Sequence, residues 1–357
     1  MSEPASPRRI LIVRLSALGD VVMASGLITA LRRRYPDAQI SWLCEPASLP
    51  LLQHNPHLHQ VLVWPRPRWR ELWRERRYLT LWREVRRFHA LLRAQQFDWV
   101  LDAQGLLKSG VCAWMTHAPR RVSLMAREGS RWLVHERLVP PPRDGGMMSS
   151  EYRHLAVHLG AKEEDFQLDL AVGGAARARA QAVLQQAGAT GRVALLCAFT
   201  TRAQKHWMEP YWLELAAALR RHGYTPVLLG GPGDREAAAR MAAASSDLIN
   251  LAGKLQLDES VAAVSLGNLL IGVDTGLTHM GTALRVPTVA LFGSTRPYLH
   301  AGTPTTRVLY DALPCSPCRR HPTCNGRFDC MRQLTVARVL EAALALVSTR
   351  PEGSNRP

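Results

Sequence analysis

Residues 9–20 read RILIVRLSALGD, and this stretch decides the fold class. The run from Ile10 to Val13 is wholly apolar, which is typical of a strand buried on both faces of a parallel sheet. A short turn follows, and residues 21–34 then carry apolar side chains at helical spacing. A strand, a turn and a helix in this order predict an open α/β sheet, whose ligands bind beyond the carboxyl ends of the strands.

The same alternation continues along the chain. Further strands are predicted at 38–43, 99–101, 193–198, 226–229, 248–251, 269–273 and 288–292. Helices are predicted at 211–222, 235–244, 258–266 and 278–284. Residues 160–190 are rich in glycine and carry no strand pattern, which favours a join between domains. We therefore predict a doubly wound α/β protein with a first domain at 1–170, a linker at 171–190 and a second domain at 191–334.

Length and charge narrow the class of protein. The 357 residues suit two domains, and no run of about 18 uncharged apolar residues predicts a membrane-spanning helix. Arg14 interrupts the first apolar run, which is therefore too short for the apolar core of a secretory signal. A cytoplasmic protein is predicted for this reason. The net charge of +16 favours a polyanionic partner, either nucleic acid, an anionic membrane face or a phosphorylated glycolipid.

Residues 66–93 form a segment that we call the basic arm. It holds ten arginines against three glutamates, together with Trp69, Trp73 and Trp82. Arginine suits phosphates and carboxylates, and tryptophan favours the interface between water and lipid. The arm is interpreted as a binding element for an anionic ligand, with a solvated surface helix as the alternative.

The seven cysteines fall into two groups. Three lie within apolar stretches and are predicted to be small core residues: Cys44, Cys112 and Cys197. The other four follow the pattern C-x2-C-x5-C-x5-C: Cys315, Cys318, Cys324 and Cys330. Zinc ligands often come as two close pairs, whereas only one pair is close here. A structural thiol cluster or an occasional disulfide is therefore favoured over a metal site.

The motif TTRAQKHW at 200–207 directly follows a predicted strand and precedes a helix. Threonine hydroxyls, a lysine and free backbone N–H groups together favour an anion such as a diphosphate. Thr200, Thr201 and Lys205 are the candidate ligands. An exposed polar loop explains the same residues equally well.

Two further motifs follow strands of the second half. VDTGLTHMGTAL at 273–284 supplies four candidate ligand-binding residues: Asp274, Thr275, Gly276 and His279. Glycine lets backbone N–H groups approach a ligand closely, although a capped helix with a packed histidine is the alternative. In GGPGDRE at 230–236, Glu236 is a candidate acceptor of hydrogen bonds from ribose hydroxyls, and Asp234 can be an ordinary helix cap.

The first half offers a carboxylate and two polar side chains at strand ends. Asp20 closes the turn after the first strand, where it is a candidate base for the proton of an attacking hydroxyl. The motif DAQGLLKS at 102–109 places Gln104 and Lys108 after another strand, either to bind acidic sugars or to cap a helix. Without the other motifs, a helix cap would also be the simpler interpretation of Asp20.

Taken in order, these motifs resemble those of glycosyltransferase family nine, the lipopolysaccharide heptosyltransferases, and most of all the enzymes that add the first heptose. The resemblance rests on SALGD, RWRELW, DAQGLLKS, TTRAQKHW and DTGLTH. It implies a GT-B fold of two Rossmann-like domains facing a cleft, with a helix in 335–357 returning to the first domain ahead of a tail. It also implies inverting, metal-independent transfer from ADP-L-glycero-D-manno-heptose to Kdo-lipid A, without a cofactor, by a peripheral enzyme on the cytoplasmic face of the inner membrane.

The resemblance also assigns residues, position by position. It makes Asp20 the general base, with diphosphate contacts from Thr200, Thr201 and Lys205. The donor loop comprises Asp274, Thr275, Gly276 and His279. Basic residues matching those that bind the acceptor are Arg68, Arg70 and Arg127.

Two departures leave alternatives open. Glu71 follows RWR where a basic residue is expected, and residues 314–332 look more like the tails of the second and third heptosyltransferases. Action on a core that already carries heptose is therefore the nearest alternative. A basic nucleic-acid-binding protein is another, although no helix-turn-helix or RNA-recognition signature is present, and we expect no nucleic-acid partner. The first strand is not followed by G-x-G-x-x-G, which argues against a Rossmann oxidoreductase.

Overall fold

The computed structural model describes residues 6–140 and 146–348 and divides the chain into two compact units. The first unit ends at Ala171 and the second begins at Val172, apart from a short segment ending at Met148 that lies with the second unit. Each unit is built on its own six-stranded sheet with parallel pairing throughout. The predicted doubly wound α/β fold is confirmed.

The sheet of the first unit has the order β3-β2-β1-β4-β5-β6. Its strands are β1 (Arg9–Val13), β2 (Gln39–Cys44), β3 (Gln60–Val63), β4 (Trp99–Asp102), β5 (Arg120–Leu124) and β6 (Glu136–Leu138). Its helices are α1 (Leu18–Ala24), α2 (Gly26–Arg34), α3 (Arg66–Arg74), α4 (Tyr78–Ala94), α5 (Leu107–Met115) and α6 (Ser150–His158). Val13 pairs with both Leu43 and Asp102, so the carboxyl ends of the three central strands lie side by side.

The sheet of the second unit has the order β12-β11-β10-β7-β8-β9. Its strands are β7 (Arg192–Cys197), β8 (Tyr224–Leu228), β9 (Ile249–Asn250), β10 (Leu269–Val273), β11 (Thr288–Phe292) and β12 (Thr306–Tyr310). Its helices are α7 (Gly174–Gln186), α8 (Glu209–Arg221), α9 (Arg235–Ala243), α10 (Leu257–Leu266), α11 (Gly276–Ala283), α12 (Asp329–Arg332) and α13 (Val336–Ser348).

A glycine inside the central strand β10 brings α11 close to the sheet. A Cβ added at Gly272 would collide with the Thr278 side chain and come within 2.9 Å of the Cys197 Cβ. Thr278, on the first turn of α11, uses its hydroxyl to donate to the Val273 carbonyl at 2.6 Å. The close packing fixes the start of α11 against the end of β10, where the motif DTGLTH lies at 274–279.

Several expectations about local structure were wrong. The helix predicted over 21–34 is two helices, because the chain turns at Ser25, whose hydroxyl donates to the Val22 carbonyl at 2.7 Å. Thr288–Phe292 is not the last strand, since β12 pairs with it and extends the sheet by one edge strand. β12 has only one fully buried residue, so its sequence carries little apolar signal.

The linker and the last helix also differ from expectation. Within the predicted linker 171–190, helix α7 packs against α10 as part of the second unit. The final helix α13, predicted to return to the first domain, packs on α8, β10, β11 and β12 and belongs to the second unit. Its apolar residues Val336, Val339 and Ala343 are buried in the core of the second unit, which accounts for this placement. The tail predicted beyond residue 348 lies outside the described residues.

Candidate active site

Asp20 lies in the first turn of α1, just beyond the carboxyl end of β1. Its Oδ2 forms an ion pair with the Nη2 of Arg14 at 2.5 Å. Among the described residues, no group donates a hydrogen bond to its second oxygen, Oδ1, and the side chain is partly exposed. One carboxylate oxygen is thus fixed by the protein, and the other is available to an incoming hydroxyl.

Arg14 is a site residue that sequence reasoning missed. Its side chain is buried, its Nη1 donates to the Ala103 carbonyl at 3.0 Å, and its guanidinium lies 5.8 Å from the centre of the Tyr152 ring. Because Arg14 is itself held in place by the Ala103 carbonyl, it gives Asp20 a fixed partner. The sequence offers no signal for this role, because a buried arginine is recognised only when the fold brings its partner to it.

Lys108 and Gln104 lie beside this pair and are held by the protein. The Lys108 Nζ contacts Glu45 Oε1 at 3.0 Å and Ser16 Oγ at 3.2 Å. The Gln104 Oε1 accepts from the Leu15 backbone N–H at 3.0 Å, which leaves its amide nitrogen for a ligand. The predicted residues at the ends of β1 and β4 are therefore brought together in one polar cluster.

Glu45, directly after β2, is a second residue that sequence reasoning missed. Its Oε1 also pairs with Arg66 Nη1 at 3.1 Å, at the start of α3. It therefore ties the basic arm to Lys108. Glu45 is the first polar residue after a buried strand, and this position could have identified it.

Asp102 shapes the loop that carries Gln104. Its buried carboxylate accepts from the Gln104 and Gly105 backbone N–H groups at 3.1 and 3.0 Å and from Ser123 Oγ at 2.9 Å. Burial raises the pKa of Asp102, and these hydrogen bonds oppose that rise. With both oxygens engaged inside the unit, Asp102 holds the turn and is not placed to contact a ligand.

In the second unit, Asp274 at the end of β10 joins the motif at 273–284 to the motif at 200–207. Its Oδ2 contacts Lys205 Nζ at 2.6 Å and accepts from the Thr295 hydroxyl, and its Oδ1 lies 3.4 Å from His279 Nε2. Burial alone would raise the pKa of Asp274, but His279 and Lys205 hold that pKa well below its usual range. The carboxylate is therefore ionised at neutral pH and keeps Lys205 at the strand end.

The network continues inward to Tyr298, which sequence reasoning also missed. The His279 Nδ1 lies 3.1 Å from the Tyr298 hydroxyl, and both side chains are buried. Burial raises the pKa of Tyr298 well above its usual value, so its phenol is neutral. Tyr298 therefore fixes the orientation of the imidazole that faces Asp274.

The threonines and the start of α11 complete the arrangement. Thr200 Oγ1 donates to the Asp274 carbonyl at 3.2 Å, while Thr201 is exposed beside it. Thr275 is the N-cap of α11 and its side chain makes no capping bond, so the N–H groups that begin at Gly276 are open. A lysine beside an uncapped helix N-terminus is a site that favours an anion.

Comparisons with known proteins identify the family. The model of glycosyltransferase family 9 (heptosyltransferase) matches residues 85–328. The chain belongs to glycosyltransferase family 9. The lipopolysaccharide heptosyltransferase 1 of Pseudomonas aeruginosa is 33% identical over 317 residues, which are 87% of this chain and 86% of that protein. The lipopolysaccharide heptosyltransferase 2 of Salmonella typhimurium is 27% identical over 95% of this chain and 99% of its own length.

Solved structures of family 9 members share the fold. A heptosyltransferase of Escherichia coli, solved with ADP-2-deoxy-2-fluoro heptose, is 25% identical with a TM-score of 0.70, over 93% of this chain and 98% of that one. A family 9 glycosyltransferase from Veillonella parvula gives a TM-score of 0.83 at 22% identity over 96% and 98% of the two chains. The predicted GT-B class of two Rossmann-like domains is confirmed, as is the family.

The remaining predicted residues of this family 9 chain lie on exposed surfaces. Glu236 is in the first turn of α9, almost fully exposed and 3.6 Å from Arg240. Arg127 is exposed, with its Nη2 3.2 Å from the Met125 sulfur. Arg68 forms an ion pair with Glu71 at 2.7 Å. The glutamate that departs from the family pattern therefore pairs with an arginine that was predicted to bind the acceptor.

The late cysteines of this family 9 chain are all free thiols. Cys315 is exposed, Cys318 and Cys324 are half-buried, and burial raises the pKa of Cys330 to about 11. Across residues 6–140 and 146–348, no group of three or more His, Cys, Asp or Glu side chains is arranged to hold a metal ion.

The coupling of Asp274 to His279 and Lys205 predicts a pH-dependent contribution to stability. The pKa of Asp274 is lower in the folded protein than in the unfolded chain, where it is near 4. The Asp274 carboxylate therefore contributes its full stabilisation at pH values above about 4. This contribution declines as the pH falls from there toward the pKa of the folded state. The difference in unfolding free energy between wild type and Asp274→Asn is therefore expected to be constant from about pH 5 to 7 and to shrink below about pH 4. Urea unfolding at a series of pH values measures it, and a difference that grows on acidification would contradict the ion-pair network.

Proposed function

We propose that this chain transfers L-glycero-D-manno-heptose from ADP-heptose to the Kdo-lipid A inner core of lipopolysaccharide, with inversion and without a metal ion. The relatives named lipopolysaccharide heptosyltransferase 1 and 2 support the donor and acceptor classes. The observation that carries the proposal is the Lys205–Asp274 pair beside the uncapped start of α11. This arrangement offers fixed positive charge to a departing nucleoside diphosphate.

The donor is bound by the second unit. Lys205, Thr200, Thr201 and the N–H groups from Gly276 onward contact the diphosphate, and Glu236 accepts from the ribose. Asp274 contacts His279 and Lys205, and Thr275 follows it in the chain. Asp274 therefore keeps the donor loop and Lys205 in position before the substrate binds. Fixed donors of this kind stabilise developing negative charge by about 2.7–4 kcal/mol each in measured sites.

Asp20 acts as the general base on the acceptor. As the acceptor oxygen bonds to the anomeric carbon, its proton passes to Asp20 Oδ1 and the bond between that carbon and the diphosphate oxygen breaks. ADP leaves with the bonding electrons from the face opposite to attack, so the configuration inverts. Arg14 holds Oδ2, which directs the unengaged oxygen toward the hydroxyl.

The acceptor is recognised through its acidic groups. Kdo carboxylates and lipid A phosphates suit the guanidinium groups of Arg68, Arg70 and Arg127 and the ammonium group of Lys108. Gln104 adds its amide nitrogen. Such an acceptor lies in the cytoplasmic leaflet of the inner membrane, so the enzyme works as a peripheral protein at that anionic surface.

Acceptor binding through arginine predicts a salt-dependent KM. Exposed charges are screened beyond about 8 Å at physiological ionic strength, so the acceptor KM is expected to rise with added salt. The double variant Arg68→Ala/Arg70→Ala is expected to raise that KM and to weaken its salt dependence, with the donor KM unchanged. Initial rates at several salt concentrations test this. Arg221→Ala/Arg307→Ala is the matched control, and equal effects in both double variants would show a general charge effect.

The cysteine-rich stretch and the extent of one comparison support a second candidate. The relative named heptosyltransferase 2 is matched over 95% of this chain, more than the 87% matched by the first relative. Transfer to a core that already carries one heptose is therefore the alternative. Competition between heptose-free and monoheptosylated acceptors in one reaction separates the two, because the preferred acceptor is consumed first.

A further inference from the structure

Helix α4 carries a second apolar face that the core does not use. Phe88 and Leu92 are buried, as the sequence pattern predicts. At the beginning of the helix, however, Leu79 is 75% exposed and Trp82 is 56% exposed. Trp73, at the end of α3, is 63% exposed and lies 5.3 Å from the ring of the exposed Tyr78. Helices α3 and α4 pack against each other as a helical hairpin, and we call these four exposed residues the hairpin tip.

The base of the same hairpin is firmly packed. Trp69 contacts Trp64 and Phe88 edge to face, with ring centres 5.9 and 5.4 Å apart, and Leu72 is fully buried. Trp69 is therefore half-buried against the core, contrary to the interfacial role predicted for all three tryptophans of the arm. A rigid base presents the tip in a fixed geometry, so little conformational freedom is lost when a partner covers it.

The basic arm that carries the tip holds positive charge that the protein leaves unpaired. In the part of the chain that the structure describes, seven arginines of the basic arm have no carboxylate partner: Arg70, Arg74, Arg76, Arg83, Arg86, Arg87 and Arg93. Arg86 lies over the Trp82 ring at 4.7 Å. An exposed apolar patch on an arginine-rich segment fits a surface that is anionic outside and apolar within.

We propose that the hairpin tip docks on a bilayer that contains anionic phospholipid, with Trp73, Leu79 and Trp82 inserted at the headgroup level and the arginines paired with lipid phosphates. Tryptophan rings favour that depth, and basic side chains near an anionic surface add to binding. Leu79, the most exposed residue of the tip, favours lipid over nucleic acid because it has no ring to stack on a base. The inference rests on the proposed function, since an acceptor held in a membrane must be met at its surface.

The mode of attachment is consistent with the helices present. Within the described ranges, no helix combines the length and apolar character that crossing a bilayer requires. An apolar tip on a basic arm instead gives reversible, salt-sensitive association. Insertion and charge are both needed, so removal of either should release the protein.

The test compares vesicle binding by the wild type and by Trp73→Ala/Leu79→Ala/Trp82→Ala. Vesicles of phosphatidylcholine, with or without phosphatidylglycerol, are sedimented with the full-length protein. Trp132→Ala is the matched control, because Trp132 is 77% exposed and also has an arginine, Arg131, over its ring, but lies outside the arm. Heptose transfer to a deacylated, water-soluble acceptor is measured in parallel without vesicles.

We expect the wild type and Trp132→Ala to bind vesicles that contain phosphatidylglycerol, and the triple variant to bind at least about tenfold more weakly. The triple variant should keep wild-type transfer to the soluble acceptor. Equal binding by wild type and triple variant, no binding by wild type at low salt, or tip-dependent binding to mixed RNA in place of vesicles would each overturn the proposal. Absence of transfer to the soluble acceptor by the wild type would instead contradict the proposed function. Failure of the docking proposal and failure of the proposed function are therefore distinguishable.

Discussion

Replacement of Asp20 by alanine is expected to lower kcat by about 10²–10⁴, the usual contribution of a positioned general base. The carboxylate has one oxygen held by Arg14 and one without a donor among the described residues, which is the arrangement that proton transfer needs. Because Asp20 lies in the first unit and the donor motifs lie in the second, the KM for ADP-heptose should remain unchanged. Steady-state kinetics with both substrates varied measures this separation.

The matched control for this change is Asp37→Ala. Asp37 is exposed in the same unit and belongs to none of the networks described. Thermal unfolding checks that both variants are folded, since loss of Asp20 leaves the buried Arg14 without its ion pair. Near-normal turnover by a folded Asp20→Ala protein would show that the base has been wrongly assigned.

Replacement of Lys205 by alanine is expected to lower kcat by about 10²–10³, the cost of removing one preorganised donor to a developing anion. The KM for ADP-heptose should rise as well, because the proposed function also places the lysine against the diphosphate of the bound donor. Asp274 lies 2.6 Å from Lys205, so the variant also leaves that carboxylate with less compensation. Donor binding by calorimetry and turnover by initial rates separate the two effects.

Lys254→Ala provides the control for Lys205, since Lys254 is an exposed lysine of the same unit. Lys205→Arg retains the charge with different geometry and should recover only part of the turnover. Equal kcat values for Lys205→Ala and Lys254→Ala would contradict stabilisation of the leaving group by Lys205.

Much of the fold could be predicted from the sequence because buried parallel strands are short, continuous apolar runs. The bounds of β10 and β11 agree with prediction, since both strands are fully buried and end at polar motifs. Two edge strands, β6 and β12, escaped prediction for the opposite reason, whereas the edge strand β9 lies within the strand predicted at 248–251. β6 has no buried residue and β12 has one, so an apolar pattern cannot distinguish these strands from loops.

The residues at the strand ends were predictable, but their supporting partners were not. Asp20, Lys205 and Asp274 could be found because each lies in a short motif between a strand and the next helix. Arg14 and Tyr298 could not, because a buried arginine and a buried tyrosine are recognised only when the fold brings their partners to them. Tyr298 is 19 residues beyond His279, outside the helical spacing that would have suggested a contact.

The most direct test of the central claim is mass spectrometry of Kdo-lipid A after incubation with purified protein and ADP-heptose. The account predicts a gain of one heptosyl residue on the heptose-free acceptor, with formation of ADP, and no gain with Asp20→Ala on the same timescale. A gain only on an acceptor that already carries heptose would contradict the proposed order of addition. No gain on either acceptor, from folded protein with intact ADP-heptose, would contradict the account as a whole.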